Sequence, residues 1–395
     1  MLIATLLSLS LAVTPQYDAE LLFPTEDFHN HSSSIVETPA GDLIACWFHG
    51  KGERKDDSLV ILGARKNKGA STWSEPFVMA DNPNLPDQNC TLFIDPDERL
   101  WLFWVSAMDN LVRSYFLKYR YATEYGGDGP PTWDWQDAIF CRPKDADSAL
   151  SQLLEKRSEE VKTTDWIPED WKKAYFAQIE ERRPMYSDKL FQRLGWLPRQ
   201  PPIMLSDTRM MLGLYSDVFD CSMFAFTEDA GITWSFSRPV EPFGIQPSVV
   251  QRKNGDLVAY LRLAPVTHCI ESTDGGMTWT EKPLDIPNSG SSVAALGLRS
   301  GNWLLAVNDV IKGRHQLSLY LSTDEGATWT RKRFLEKLDP NKGRTNASYP
   351  TLIQGADDTI HITYTYENEA ESKGKAIKHA WFNEAWVLAG PDTDH

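Results

Sequence analysis

The chain alternates short apolar runs with polar turns at a nearly regular interval. Runs entered through turn residues recur as GDLIACWF (41–48), ERLWLFWV (98–105), TRMMLGLY (208–215), GDLVAYLR (255–262), GNWLLAVN (301–308) and DTIHITYT (358–365). Each follows another apolar run across a polar turn: SSSIVET, CTLFID, PIMLS, PSVVQR, SVAALGL and YPTLIQG. Their length and richness in β-branched and aromatic residues predict a hairpin at every pair. The hairpins start about 45 to 57 residues apart, with one gap of 110. Repetition at such a period signals like units in an array, here an all-β, six-bladed β-propeller of four-stranded sheets.

The long gap has a different pattern. Between Asp137 and about Pro198 the strand pattern stops, and DADSALSQLLEKRSEEV and PEDWKKAYFAQIEERR have the spacing and composition of helices, with Pro168 in a first-turn position. A helical insertion over about 137–198, between the second and third sheets, is expected. Arg182, Arg183 and the aromatics of EERRPMYSDKLFQRLGW suit either a cover over a pocket mouth or a helical decoration that contacts a second copy.

A second repeat is superimposed on the first. TEDAGITWS (227–235), STDGGMTWT (272–280) and STDEGATWT (322–330) spell nearly the same turn, with weaker copies around Trp73 and Trp133. The hydroxyl and carboxylate accept backbone N–H bonds, Gly takes φ > 0, and the Trp is expected to bury its ring beside the next hairpin. The pattern concerns architecture and carries no chemistry.

Charge and composition narrow the partners. A net charge of −15 and a pI near 5.0 argue against nucleic acid and anionic membrane. An acidic ligand then needs local Arg residues to reverse the field. Five cysteines without a C-x-x-C pair point to buried small side chains rather than a metal site or a disulfide framework. MLIATLLSLSLAVT (1–14) is too short to span a membrane and fits the apolar part of a signal peptide, although no Lys or Arg precedes it. Secretion or a periplasmic location is the corresponding expectation, with 15–395 as the propeller; a buried first strand is the alternative.

The pattern S-x-D-x-G-x-T-W resembles the Asp-box of the BNR repeat, and the six-sheet spacing is similar to that of the sialidase (neuraminidase) superfamily. The resemblance covers nearly the whole chain apart from the leader and the insert, and it is specific for fold and only suggestive for reaction. It implies three Arg residues around a substrate carboxylate, a Tyr nucleophile paired with a Glu, and an Asp acid/base. Arg262, ending GDLVAYLR, and Arg314, in NDVIKGRHQLSLYLSTDEGATW, match two of the arginines, and Tyr349, in ASYPTLIQGADDTIHITYTYE, matches the nucleophile. Two positions depart. HSSSIVE places His31 where the family has its first Arg, and IQPSVVQ places Gln246 where it has the Glu. The loop GKGERKDDSLV supplies Glu53, Asp56 and Asp57 as acid/base candidates.

The resemblance implies a sialidase-like glycan-degrading enzyme of glycoside hydrolase type, with uronate elimination as the alternative. The residue types fit an acidic oligosaccharide or polysaccharide as partner, because Arg forks bind carboxylates bidentately. Sialidase-like hydrolysis requires an activated phenolate, which a neutral Gln does not provide. Elimination at a uronate, as in propeller lyases that cleave rhamnose–glucuronate linkages, needs only a base and an acid, roles open to His31 and Tyr349. Bland readings stand beside these. His29 and His49 compete with His31, the arginines could pair with acids of the next blade, and the propeller could bind glycan or protein without catalysis. No cofactor or metal ligand set is expected, no membrane span is expected, and the sequence leaves calcium and the oligomeric state open.

Overall fold

The computed structural model describes residues 13–53, 56–165, 167–241 and 244–390; the leader expected over 1–14 falls outside them except for its last two residues. Six antiparallel sheets follow one another along the chain as blades I (29–80), II (87–138), III (197–236), IV (245–282), V (294–337) and VI (345–382). The six apolar runs are the second strands of the six blades, and nearly all of their residues are buried because blades pack on both faces. Blade III differs at its inner edge. Where PIMLS predicts one strand, two-residue strands Leu197–Pro198 and Ile203–Met204 both pair with Met210–Ser216. Pro201 and Pro202 interrupt the ladder between them, since neither has an N–H to donate.

Blade VI is closed by the other end of the chain. Tyr17–Leu21 pairs with Ala376–Phe382 as its outermost strand, in register from Tyr17↔Phe382 to Leu21↔Lys378. Glu20 ties this strand to blade I by accepting from Lys66 Nζ (2.6 Å) and Trp73 Nε1 (2.8 Å), with His379 Nδ1 at 3.3 Å. Burial alone would raise its carboxyl, but the bonds from His379, Lys66 and Trp73 outweigh that and hold it at about 2 instead of 4.5. A lowered folded-state value means stabilisation that is full above the unfolded-state value and lost as pH falls through the folded one. Glu20→Gln is therefore expected to flatten the acid limb of stability between about pH 4.5 and 2. Thermal melts across that window check it; an unaltered acid limb contradicts it.

The Asp-boxes occupy the turn between the third and fourth strands. In blade IV, Asp274 accepts from Met277 N (3.0 Å), Thr278 N (2.9 Å) and Thr278 Oγ1 (2.6 Å), while Trp279 Nε1 donates to Gly276 O (3.0 Å). Asp229 and Asp324 repeat this around Thr233 and Thr328. Gly276 has φ +86°, and a Cβ there would stand 2.8 Å from Met211 Sδ of blade III. The tryptophans face the same way. Trp279 stacks on Phe224 of blade III at 4.5 Å and Trp234 meets Phe103 and Tyr119 of blade II. The rings thus lie on the preceding blade, not beside the following hairpin, because these turns overlap the rim of the sheet already passed. Blade VI has no box because chain ends, not a turn, join its third and fourth strands. Asp274→Ala is expected to cost about 1–3 kcal/mol of stability without changing the activity of the folded fraction. A loss of turnover at an unchanged melting temperature would contradict it.

Helices α1 (Ala146–Thr163) and α2 (Glu169–Ser187) leave blade II after Trp135–Ala138. Their Leu150, Leu153, Leu154, Ile179 and Tyr186 share one hydrophobic cluster with Trp196, Tyr215 and Phe219, which fixes the insert on blade III. Arg182 of α2 donates to Asp217 O (3.0 Å) and Val218 O (3.3 Å) in the turn after Met210–Ser216. Among the described residues no helix is long and apolar enough to cross a membrane.

Candidate active site

Four inner strands carry the same irregularity. Their pairing register slips between His31 and Ser34, Gln88 and Thr91, Ile245 and Ser248, and Ser348 and Thr351. Within each bulge one residue has left-handed backbone: Ser32 (φ 58°), Asn89 (48°), Gln246 (58°) and Tyr349 (58°). Such a conformation is strained for a bulky side chain, and bulges re-aim side chains next to functional sites. Here they bring residues from opposite blades together on the axis.

Tyr349 is the centre. It is 7% exposed, and its hydroxyl accepts from Arg262 Nη1 (2.7 Å), with Gln246 Nε2 at 3.4 Å. The Arg314 guanidinium lies 5.0 Å from the phenol ring centre and that of Arg262 5.9 Å. The His31 ring is 4.1 Å away. Tyr349, His31, Gln246, Arg262 and Arg314 are thus brought together from blades I, IV, V and VI. No carboxylate contacts Tyr349 among the described residues; the neutral Gln246 stands there instead, able to share a hydrogen bond but not to take the proton.

His31 is distinguished from its neighbours by its contacts. His49 Nδ1 meets Asn30 Oδ1 (2.9 Å) and Glu26 (3.3 Å), and His29 Nδ1 meets Lys375 Nζ (3.3 Å). His31 Nδ1 meets Thr365 Oγ1 (2.8 Å), which fixes the ring beside Tyr349. Burial first, then the charges of His29 and Arg314, pushes His31 well below the ordinary imidazole range. It is neutral at neutral pH.

Sequence reasoning missed Arg199. It is fully buried beneath Tyr349, 5.2 Å from the ring centre, and bonds only neutral groups: Ser33 O (3.3 Å), Thr351 Oγ1 (3.2 Å) and Pro350 O (3.0 Å). Burial lowers its guanidinium to about 10, so it stays cationic at neutral pH. A chain of net charge −15 therefore concentrates three arginines around one phenol. The available signal was an Arg inside the mostly apolar WLPRQPPIM, where the chain re-enters the propeller. Tyr215 was missed as well. It accepts from Asn89 Nδ2 (2.5 Å), and burial pushes its phenol well up, so it remains neutral.

Glu53 and Asp57 lie on the exposed loop between Leu43–Gly50 and Val60–Lys66, at the blade I end that carries His31. Asp57 accepts from Asn110 Nδ2 (2.7 Å) of blade II's corresponding loop, and Asp56 from Ser58 N (2.9 Å). Hydrogen-bonding capacity remains at the axis itself. Ser32 Oγ, Ser33 Oγ, Gln88 Nε2, Arg199 Nε and Gln246 Oε1 are buried without a protein partner, which leaves them for a polar ligand or water. Cavity size alone does not locate the site: one of about 490 Å³, lined by Thr38, Arg65 and Tyr125, opens at the opposite end of blades I and II. Among the described residues no group of three His, Cys, Asp or Glu is placed to hold a metal ion.

No curated protein matches the sequence. A family model described as a BNR repeat-like domain matches residues 182–362. Among solved structures, a protein of unknown function from Dyadobacter fermentans superposes with a TM-score of 0.67 at 16% identity, covering 92% of this chain and 97% of that one. The intramolecular trans-sialidase of Ruminococcus gnavus, in complex with oseltamivir carboxylate, gives 0.64 at 13% identity, covering 92% and 96%. The Hadza microbial sialidase Hz136 gives 0.64 at 15%, covering 91% of this chain and 66% of its own. With its six blades and repeated Asp-boxes, the chain has a sialidase-like propeller fold, and its residues 182–362 match the BNR repeat-like domain.

Proposed function

We propose that the protein is a glycan-processing enzyme that takes an acidic sugar at the axis, with Arg262 and Arg314 around its carboxylate. The observation that carries this is the Tyr349 hydroxyl, held at 2.7 Å by Arg262, flanked by Arg314 and His31, with no carboxylate against it among the described residues. The carboxylate ligand of the Ruminococcus gnavus neighbour supports an acidic substrate class.

Within this reading the residues suit elimination at a uronate. Pairing the substrate carboxylate with arginines acidifies the adjacent C5–H. Neutral His31 accepts that proton, the C5–H electron pair forms the C4=C5 bond, and the C4–O bond breaks. The leaving oxygen takes its proton from Tyr349, whose hydroxyl accepts from Arg262 and faces Gln246 and so has its own hydrogen to donate. The proton gained by His31 then passes through water to the Tyr349 phenolate, which returns both side chains to their starting forms.

Sialidase-like hydrolysis is the second reading. It is favoured by the fold of the neighbours and by the carboxylates Glu53 and Asp57 on a loop at the site end of blade I, where an acid would be needed. Incubation with a panel of acidic glycans, followed at 235 nm and by reducing-end assay, tests both. A rise at 235 nm supports elimination, new reducing ends without it support hydrolysis, and neither on any acidic glycan contradicts the proposal.

A further inference from the structure

A second cavity, of about 490 Å³, opens between the insert and the blade IV loop that follows Arg262. Its walls include Arg157 and Glu160 of α1, Trp171 of α2, and Leu263, Ala264 and Pro265, the loop that directly follows Arg262. Trp171 is 48% exposed, and its indole lies parallel to the Tyr175 ring at 5.5 Å and 9°, so the platform is backed from behind. Arg157 and Glu160, 3.7 Å apart, put charged groups at the edge of a mostly apolar surface.

A flat indole with polar groups at its margin matches a pyranose, which has an apolar C–H face and an equator of hydroxyls. Glu160 disfavours a second carboxylate there. The wall is one residue along the chain from Arg262, whose side chain holds Tyr349. We infer that this cavity is a subsite for the neutral sugar next to the acidic sugar at the axis; the assignment rests on the acidic-glycan reading above. The insert then selects for chain context, while the axis selects for charge.

Calorimetry with two probes tests it: methyl glucuronide, and an oligosaccharide in which neutral sugars flank a glucuronate. Trp171→Ala is expected to weaken the oligosaccharide by about tenfold and to leave methyl glucuronide unchanged, with Trp171→Phe recovering most of the loss. Arg314→Ala is expected to weaken both probes. If wild-type protein gains no affinity from the neutral sugars, or if Trp171→Ala weakens both probes equally or neither, the subsite is overturned. If Trp171→Ala weakens the oligosaccharide but Arg314→Ala affects neither probe, the subsite stands and the axial reading falls. Wild-type protein that binds neither probe overturns both.

Discussion

Replacing Tyr349 with Phe is expected to lower turnover of an acidic glycan by about 10²- to 10⁴-fold, the range that a positioned proton donor supplies. The substitution retains the ring that lies among His31, Arg199 and Arg314 and removes only the hydroxyl that accepts from Arg262. The strained backbone at φ 58° is the same for either residue, so any loss of stability should be confined to the lost bond from Arg262, about 1–3 kcal/mol. The same residue separates the two reactions. A fluorinated sugar-acid inactivator adds its mass to the peptide containing Tyr349 if the phenol is a nucleophile, and leaves it unlabelled if the phenol only moves a proton. A Tyr349→Phe variant with full activity removes Tyr349 from either mechanism.

The second large effect concerns charge. Arg314→Ala is expected to weaken acidic ligands by about 2–5 kcal/mol, the range for truncating one partner of a charge-assisted pair, and to leave neutral sugars nearly unaffected. Arg314 is the cleaner test, because Arg262→Ala also removes the 2.7 Å bond to Tyr349 and should lower turnover beyond its effect on affinity. Calorimetry on both variants decides. Equal losses for acidic and neutral ligands would indicate structural damage and contradict the clamp.

The architecture was legible because propeller strands are specified locally: each second strand is a continuous apolar run, and each Asp-box encloses its own hydrogen bonds within about nine residues. Blade III was less legible. Its inner strand is broken at Pro201 and Pro202, so the pattern after the insert reads as one short strand where there are two. Tyr349, His31, Gln246, Arg262 and Arg314 could be placed through resemblance of short strand patterns, and they meet at the axis. Arg199 could not, because its role depends on contacts with residues more than 150 positions away in the chain, Ser33 and Pro350. The direction of the box tryptophans was also illegible, since it is set by how blades overlap. Glu53 and Asp57 could be assigned to a loop at the right end of blade I, but a loop's sequence does not say whether its carboxylates reach the axis.

The most direct test of the central claim is a crystal structure of the protein with a glucuronate-containing oligosaccharide bound. The carboxylate is expected between Arg262 and Arg314, with the Tyr349 hydroxyl within hydrogen-bond reach of the glycosidic oxygen and the His31 ring within reach of the C5 hydrogen. A saccharide bound away from the axis, or one at the axis with its carboxylate turned away from both arginines, would contradict it.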